Sequence, residues 1–144
     1  MDLLNSNDQI LGRGWASPPT FIKGPNQALM NQGELNVNEN LKNLLETRLL
    51  ERPFKPKYGT KLKSHVFASQ TNLPLGEIQA SIAHSIDENE PRIKVQSIDI
   101  QVYNEYQCVL LINIAYTFIA VNSRHNFIYP FYITEGTHLD LTMP

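Results

Sequence analysis

Four carboxylates have the spacing that first suggests chemistry: Glu46, Glu51, Glu88 and Glu90, all near the ends of predicted helices. Two such acids could flank a glycosidic bond, one donating a proton while the other serves as base or nucleophile. The donor must keep its proton near neutral pH, which a hydrophobic cleft favours and a neighbouring cation opposes. Glu51 is followed by Arg52, and Glu90 stands beside Arg92 across a proline. These cations favour ion pairs at helix ends over acid catalysis. Glu90-Pro91-Arg92 is the sharper feature. It sets an acid and a base on either side of a rigid backbone turn, where they can meet the protein's own core, a substrate or a partner.

Other chemistries have weaker support. His65, His84, His125 and His138 are scattered, with no HExxH or CxxC spacing and no companion cysteine, so they read as solvent-facing or hydrogen-bonded residues and no metal is expected. Gly12-Arg13-Gly14 starts like a dinucleotide loop but lacks the third glycine and a preceding strand. Neither a phosphate-binding GK[ST] loop nor a GxSxG elbow occurs, and no cofactor is expected. Cys108 lies in a predicted core strand and reads as a small buried hydrophobe. Arg48, Arg52, Lys55, Lys57, Lys61 and Lys63 alternate with Phe54 and Tyr58, a composition that can contact phosphates and bases or an acidic protein surface. The formal net charge of −2 favours the protein surface, and no nucleic acid is expected.

Length and composition set the frame. A chain of 144 residues, 42% hydrophobic and 18% charged, is expected to form one domain with a substantial core. A single cysteine excludes an internal disulfide framework. The start, Met1 to Asp8, lacks the basic and apolar regions of a secretory signal. The longest apolar run, Cys108 to Val121, is too short to cross a bilayer and reads as a buried strand.

The elements that must position these residues follow from periodicity. Residues 1–35 are rich in Asn, Gln, Gly and Pro and read as an N-terminal arm or short edge strands; they hold the only tryptophan, Trp15, so part of the arm is expected to dock on something apolar. Residues 36–144 form the main domain. A first helix is predicted over Val37–Leu50, capped by Asn36 with Glu39 in the capping-box position and Val37, Leu41, Leu44, Leu45 and Leu49 on one face. Pro53 to Gly59 forms a stiff turn. A second helix, Pro74–Asn89, carries the Ile78-Ile82-Ile86 stripe and ends before Glu90-Pro91. The period then becomes two, with a parity slip at Gln96-Ser97 that predicts a β-bulge. A turn over Asn104–Gln107 leads to Cys108–Phe118, apolar on both parities and hence a central strand covered on both faces. A last strand, about Phe127–Thr134, contains Pro130 and belongs at a sheet edge. The expected class is α+β: a mostly antiparallel sheet with two helices packed on one face, plus the arm.

Taken in order, several segments resemble the baseplate wedge family of contractile tails. Leu44-Leu45-Glu46-Thr47-Arg48, followed by Glu51-Arg52-Pro53-Phe54-Lys55-Pro56-Lys57-Tyr58-Gly59-Thr60-Lys61-Leu62, is similar to that family's LLTxxGERxxxPx(F/Y)GxxL signature. Glu90-Pro91-Arg92-Ile93 resembles its Glu-Pro-Arg motif. Leu11-Gly12-Arg13-Gly14-Trp15-Ala16-Ser17-Pro18-Pro19 resembles the GxGWxFP opening of phage and extracellular-injection members, and Asn126 to Phe131 a late strand. The resemblance spans roughly residues 10–135. Two positions depart from it: Leu50 replaces the glycine before Glu-Arg, and Asn89 replaces an aromatic before Glu-Pro-Arg.

The resemblance implies a structural, non-enzymatic baseplate component of a phage tail, type VI secretion system or extracellular contractile injection system. It implies six copies per baseplate, assembled in the bacterial cytoplasm and built into a tail-like particle without membrane insertion. The implied partners are wedge proteins, sheath subunits joined by strand addition, and further tube or hub proteins. Strand addition would use Phe127 to Leu141. The implied partner contacts are Glu90, Pro91 and Arg92, supported by Glu51, Arg52 and Tyr58, and Arg92→Ala is expected to spare the fold while blocking assembly. The enzymatic alternative is a peptidoglycan-cleaving, lysozyme-like protein using Glu46, Glu51 or Glu90.

Overall fold

The computed structural model describes residues 11–24, 27–65, 73–104 and 109–133. Four short strands come first: β1 (Arg13–Trp15), β2 (Phe21–Ile22), β3 (Gln27–Ala28) and β4 (Met30–Gln32). β1 pairs antiparallel with β4, and β2 with β3. Helix α1 (Gly33–Glu46), a 3-10 turn (Leu62–His65) and helix α2 (Leu75–Asn89) follow. The chain then builds one antiparallel sheet from β5 (Ile93–Asn104), β6 (Val109–Phe118) and β7 (Ser123–Tyr132), in the order β5-β6-β7. The α+β class is as the sequence predicts.

Helix α1 starts earlier than its sequence pattern suggests, inside the predicted arm. Asn36 is not its cap. The N-cap is Gln32, with no side-chain cap hydrogen bond, and Asn36 is buried one turn inside. Pairing of Arg13 with Gln32 brings β4 directly into the helix, so a distant strand fixes the entry point. The two residues predicted as a capping box hold the arm instead. Asn36 packs against Gly14, where a Cβ would collide with its carboxamide, and Glu39 Oε2 accepts the Ser17 N–H at 3.1 Å. The helix also stops earlier, at Glu46, because Thr47 turns extended and its carbonyl leaves the helix for Thr60. Its N–H and hydroxyl both reach the Asn43 carbonyl, while its own carbonyl accepts the Thr60 N–H at 2.9 Å.

Helix α2 ends at Asn89, as the following proline requires, and the Glu90 N–H closes the last turn on the Ile86 carbonyl at 2.8 Å. The register of β5 against β6 shifts between Val95 and Ser97, placing the bulge at Gln96 where the parity slips. β7 is an edge strand, consistent with Pro130, but it begins at Ser123 rather than Phe127. Asn122, at φ 51°, turns the chain between β6 and β7. The predicted turn residues 105–107, Cys108, His138 and the stretch 134–141 lie outside the described residues.

The core lies between the two helices and one face of the sheet. Val37, Leu41, Leu44 and Leu45 from α1 meet Ile78, Ile82 and Ile86 from α2, and Ile112, Ile114, Tyr116 and Phe118 from β6. Each such burial contributes about 1.5–3 kcal/mol. The expectation of a β6 covered on both faces holds only at the start of the strand, where Val109 and Leu110 are both buried. Beyond it residues 112, 114, 116 and 118 are buried, whereas Leu111, Asn113, Ala115 and Thr117 are only partly buried, because both helices pack on one side. Part of the arm docks, as expected, through Leu11 and Ala16, but Trp15 itself stays largely at the surface. It is 61% exposed and meets Phe21 edge-to-face at 6.2 Å.

Burial raises the phenol pKa of Tyr58, Tyr116 and Tyr129 above the ordinary value. Their neutral forms are therefore worth more in the folded state than in the unfolded one. The resulting stability is complete below about pH 10, where the unfolded phenols are still protonated, and is lost as pH rises through the raised folded values. We expect the urea midpoint to fall between pH 9 and pH 11, and the fall to be shallower in Tyr116→Phe.

Candidate docking site

Two corners sit side by side at one end of α2. The first runs from Arg48 to Thr60 and is built almost wholly from local hydrogen bonds. Arg48 and Thr60 form a parallel bridge, and the Leu50 N–H reaches the Pro56 carbonyl at 2.9 Å. Glu51 folds back so that Oε2 accepts the Arg48 N–H at 2.8 Å, and the Glu51 N–H returns to the Arg48 carbonyl at 3.2 Å. Glu51 thus closes the turn. Arg52 lies over the Tyr58 ring, 4.1 Å from its centroid, a cation–π contact that holds the guanidinium at the surface. Phe54, at the tip, is 98% exposed.

Gly59 locks this corner. Its φ is +128°, and a Cβ there would lie 2.6 Å from the Thr47 carbonyl oxygen and 2.7 Å from the Arg48 carbonyl. Leu50 has φ 69°, in the left-handed region that glycine adopts without penalty. This explains the glycine in the resembling signature: the turn needs that conformation, and here leucine adopts it at a cost. The Leu50 side chain is 79% exposed, so it recovers little by burial. Leu50→Gly is expected to raise the unfolding free energy by about 0.5–1 kcal/mol in a urea titration.

The second corner is Glu90-Pro91-Arg92. Arg92 grips Glu90 in a two-pronged pair: Nε donates to Oε1 at 2.6 Å and Nη2 to Oε2 at 2.8 Å. Its third nitrogen, Nη1, donates to the Leu11 carbonyl at 2.8 Å. The Glu90 carboxylate holds the Arg92 guanidinium above its ordinary pKa. Glu90 is buried at 5% exposure, the Arg92 side chain is 28% exposed, and Pro91 is exposed. The acid and base on either side of the proline therefore meet within this chain, and the pair also clasps the arm. Arg92→Ala would strand a buried carboxylate, so the variant is expected to lose stability as well as a partner contact.

The corners are joined through α2. Ser85 Oγ donates to the Gly59 carbonyl, and Asn89 Nδ2 donates to the Ser85 carbonyl at 2.8 Å and the Lys57 carbonyl at 3.5 Å. Asn89, the departure from the aromatic of the signature, is a polar tie between α2 and the first corner. The structure thus brings Glu51, Arg52, Tyr58, Glu90, Pro91 and Arg92 to one end of the molecule. Of their charges, Glu90 is buried, whereas Arg52 and Glu51 lie exposed, Glu51 with one oxygen bonded to the Arg48 amide.

The four candidate carboxylates are held in different settings: Glu46 ends α1 with its charge felt by the Tyr129 phenol, and the other three have partners of their own. Glu51 is bonded to a turn amide, Glu90 to Arg92, and Glu88 to His84 on its own helix at 3.4 Å. One polar cluster has no local sequence signal. His125 on β7 bonds Glu34 in the first turn of α1 at 3.0 Å and Ser123 at 3.0 Å, and it stacks on Tyr116. Tyr116 in turn donates to Asn38 Oδ1 at 2.6 Å, so the cluster pins α1 to β6 and β7. Among the described residues, no group of three or more His, Cys, Asp or Glu side chains could hold a metal.

The family model for baseplate wedge protein gp25 matches residues 31–123, and the chain belongs to that family. Baseplate wedge protein gp25 of Enterobacteria phage T4 is 28% identical over 79 residues, 54% of this chain and 60% of that relative. The matched region thus spans less than two thirds of that relative's length. A candidate tail lysozyme from Geobacter sulfurreducens is similar at 30% identity and TM-score 0.63, covering 72% of this chain and 94% of its own. A chain of the anti-feeding prophage baseplate aligns with TM-score 0.62 at 23% identity, over 88% of this chain and 90% of its own. One from a type VI secretion baseplate complex aligns with TM-score 0.52 at 15% identity, over 68% and 91%. These last two are likenesses of fold.

Proposed function

We propose that the chain is a non-enzymatic adaptor that links the baseplate wedge to the first sheath ring. It would act in several copies, around a baseplate of the kind that was 6-fold symmetrised for the anti-feeding prophage. The observation that carries the sheath contact is β7. It ends the sheet order, and no strand among the described residues pairs with its outer side. The edge of a sheet can take up a further strand through its backbone groups. The wedge contact is assigned to the paired corners, with Arg52, Tyr58 and Pro91 at the surface and Glu51, Glu90 and Arg92 holding their shape. The non-enzymatic reading rests on carboxylates that are committed to turn, ion-pair and helix-surface contacts.

Amide hydrogen exchange of residues 123–132 tests this reading. We expect strong protection of that segment when purified sheath subunits are added to assembled baseplates. Unchanged exchange along β7 would exclude strand addition at this edge. A muralytic assay tests the rival directly: peptidoglycan cleavage lost in Glu51→Gln or Glu90→Gln would make the protein an enzyme.

A further inference from the structure

A groove of about 1080 Å3 runs between the first corner and α2, and the docking reading above leaves it unassigned. Its floor is apolar, with Leu62, Ile78 and Ile82 buried beneath it. Its two walls carry opposite charge. Lys57 and Lys61 line the corner side, and Glu77 and Glu88 line the helix side. Among the described residues no salt bridge crosses between them, since Glu88 pairs only with His84 on its own helix. Leu50 also lines this groove, an exposed leucine kept where the backbone favours glycine.

A ligand for this groove must present three kinds of surface along one direction: an apolar stripe, an acidic flank and a basic flank. An extended strand has two faces, whereas a helix can present three. We propose that the groove accepts an amphipathic helix from another baseplate protein. Its apolar stripe rests on the floor against Leu50, its Asp and Glu residues face Lys57 and Lys61, and its Lys and Arg residues face Glu77 and Glu88. The inference rests on the docking role of this end of the molecule and names the shape and charge of what docks.

The test places the photo-crosslinking residue p-benzoylphenylalanine at Ser81, on the groove wall, in the full chain incorporated into assembled particles. Crosslinked peptides are then identified by mass spectrometry. The expected product is a helical segment of a second baseplate protein with acids and bases on opposite flanks. Lys57→Glu with Lys61→Glu should reduce its yield at least fivefold, and reversing the helix's acids should restore it. Leu50→Gly should lower the yield while raising the thermal midpoint. Crosslinks to an extended segment, to residues 66–72 of this chain or to a second copy of it would overturn the proposal. So would a yield indifferent to the charge reversals. The same probe at Phe54 separates the two readings. Crosslinks from position 54 with none from 81 leave the docking role standing and remove the helix, and silence at both removes both.

Discussion

Arg92→Ala is expected to lower the unfolding free energy by about 3 kcal/mol, read from urea midpoints at constant slope. That is the lower end of the cost of removing one partner from a buried ion pair, because the guanidinium keeps some solvent contact. The loss has two sources. The Glu90 carboxylate, 5% exposed, would be left without its two-pronged donor, and the Leu11 carbonyl would lose its partner. Adding Glu90→Gln to Arg92→Ala removes the stranded charge and should recover part of the deficit. If the single variant is as stable as the parent, the pair is not the brace described. The role of this end of the molecule in assembly is therefore better examined through Arg52 of the neighbouring corner, which stands on Tyr58 at the surface and can be replaced without uncovering a buried charge.

Gly59→Ala should be at least as damaging, on the order of 4 kcal/mol. Two penalties add: a backbone conformation at φ +128° that L residues rarely adopt, and a methyl group driven against the Thr47 and Arg48 carbonyls at 2.6–2.7 Å. The neighbour is main chain rather than a flexible side-chain tip, so rotamer changes cannot relieve it. The expected result is a thermal midpoint too low for baseplate assembly at growth temperature. A variant with the parent's midpoint would show that the first corner is free to shift. Gly76 is the internal control: a Cβ there meets nothing within 4 Å, and Gly76→Ala lies in a helix where alanine is preferred.

These contacts also mark how far the sequence could be read. The end of α2 was legible because Pro91 acts on its immediate neighbour, and the bulge at Gln96 because parity is counted along a single strand. The start of α1 was not. Asn36 and Glu39 form a plausible cap in isolation, but pairing of Arg13 with Gln32 moves the helix entry and turns both side chains toward the arm. The exposure of Trp15 was hidden for a related reason: its residue type suits burial, and only the paths of β1 and β4 turn it outward. The corner's composition was readable and its internal pairing was not, because a charge two residues from its opposite can face inward or outward with equal local geometry. The Glu34–His125 bond, joining residues far apart in the chain, leaves no periodic trace. A positive φ at Leu50 could have been read from the glycine of the resembling signature, which occupies that place for a conformational reason.

The Arg92–Leu11 bond joins residues 81 positions apart, and that separation sets an order of events during synthesis. Leu11 leaves the ribosome first, yet the side chain that holds it is made only after both helices. Closing so long a loop is entropically slow unless the intervening chain has already folded. The pairing of β1 with β4 and the Ser17–Glu39 bond need only the first 39 residues, whereas the clasp on Leu11 waits until α2 and the start of β5 bring Arg92 into place. A nascent chain stalled before Arg92 would therefore carry an arm held by β4 and α1 but with the Leu11 carbonyl still unclasped.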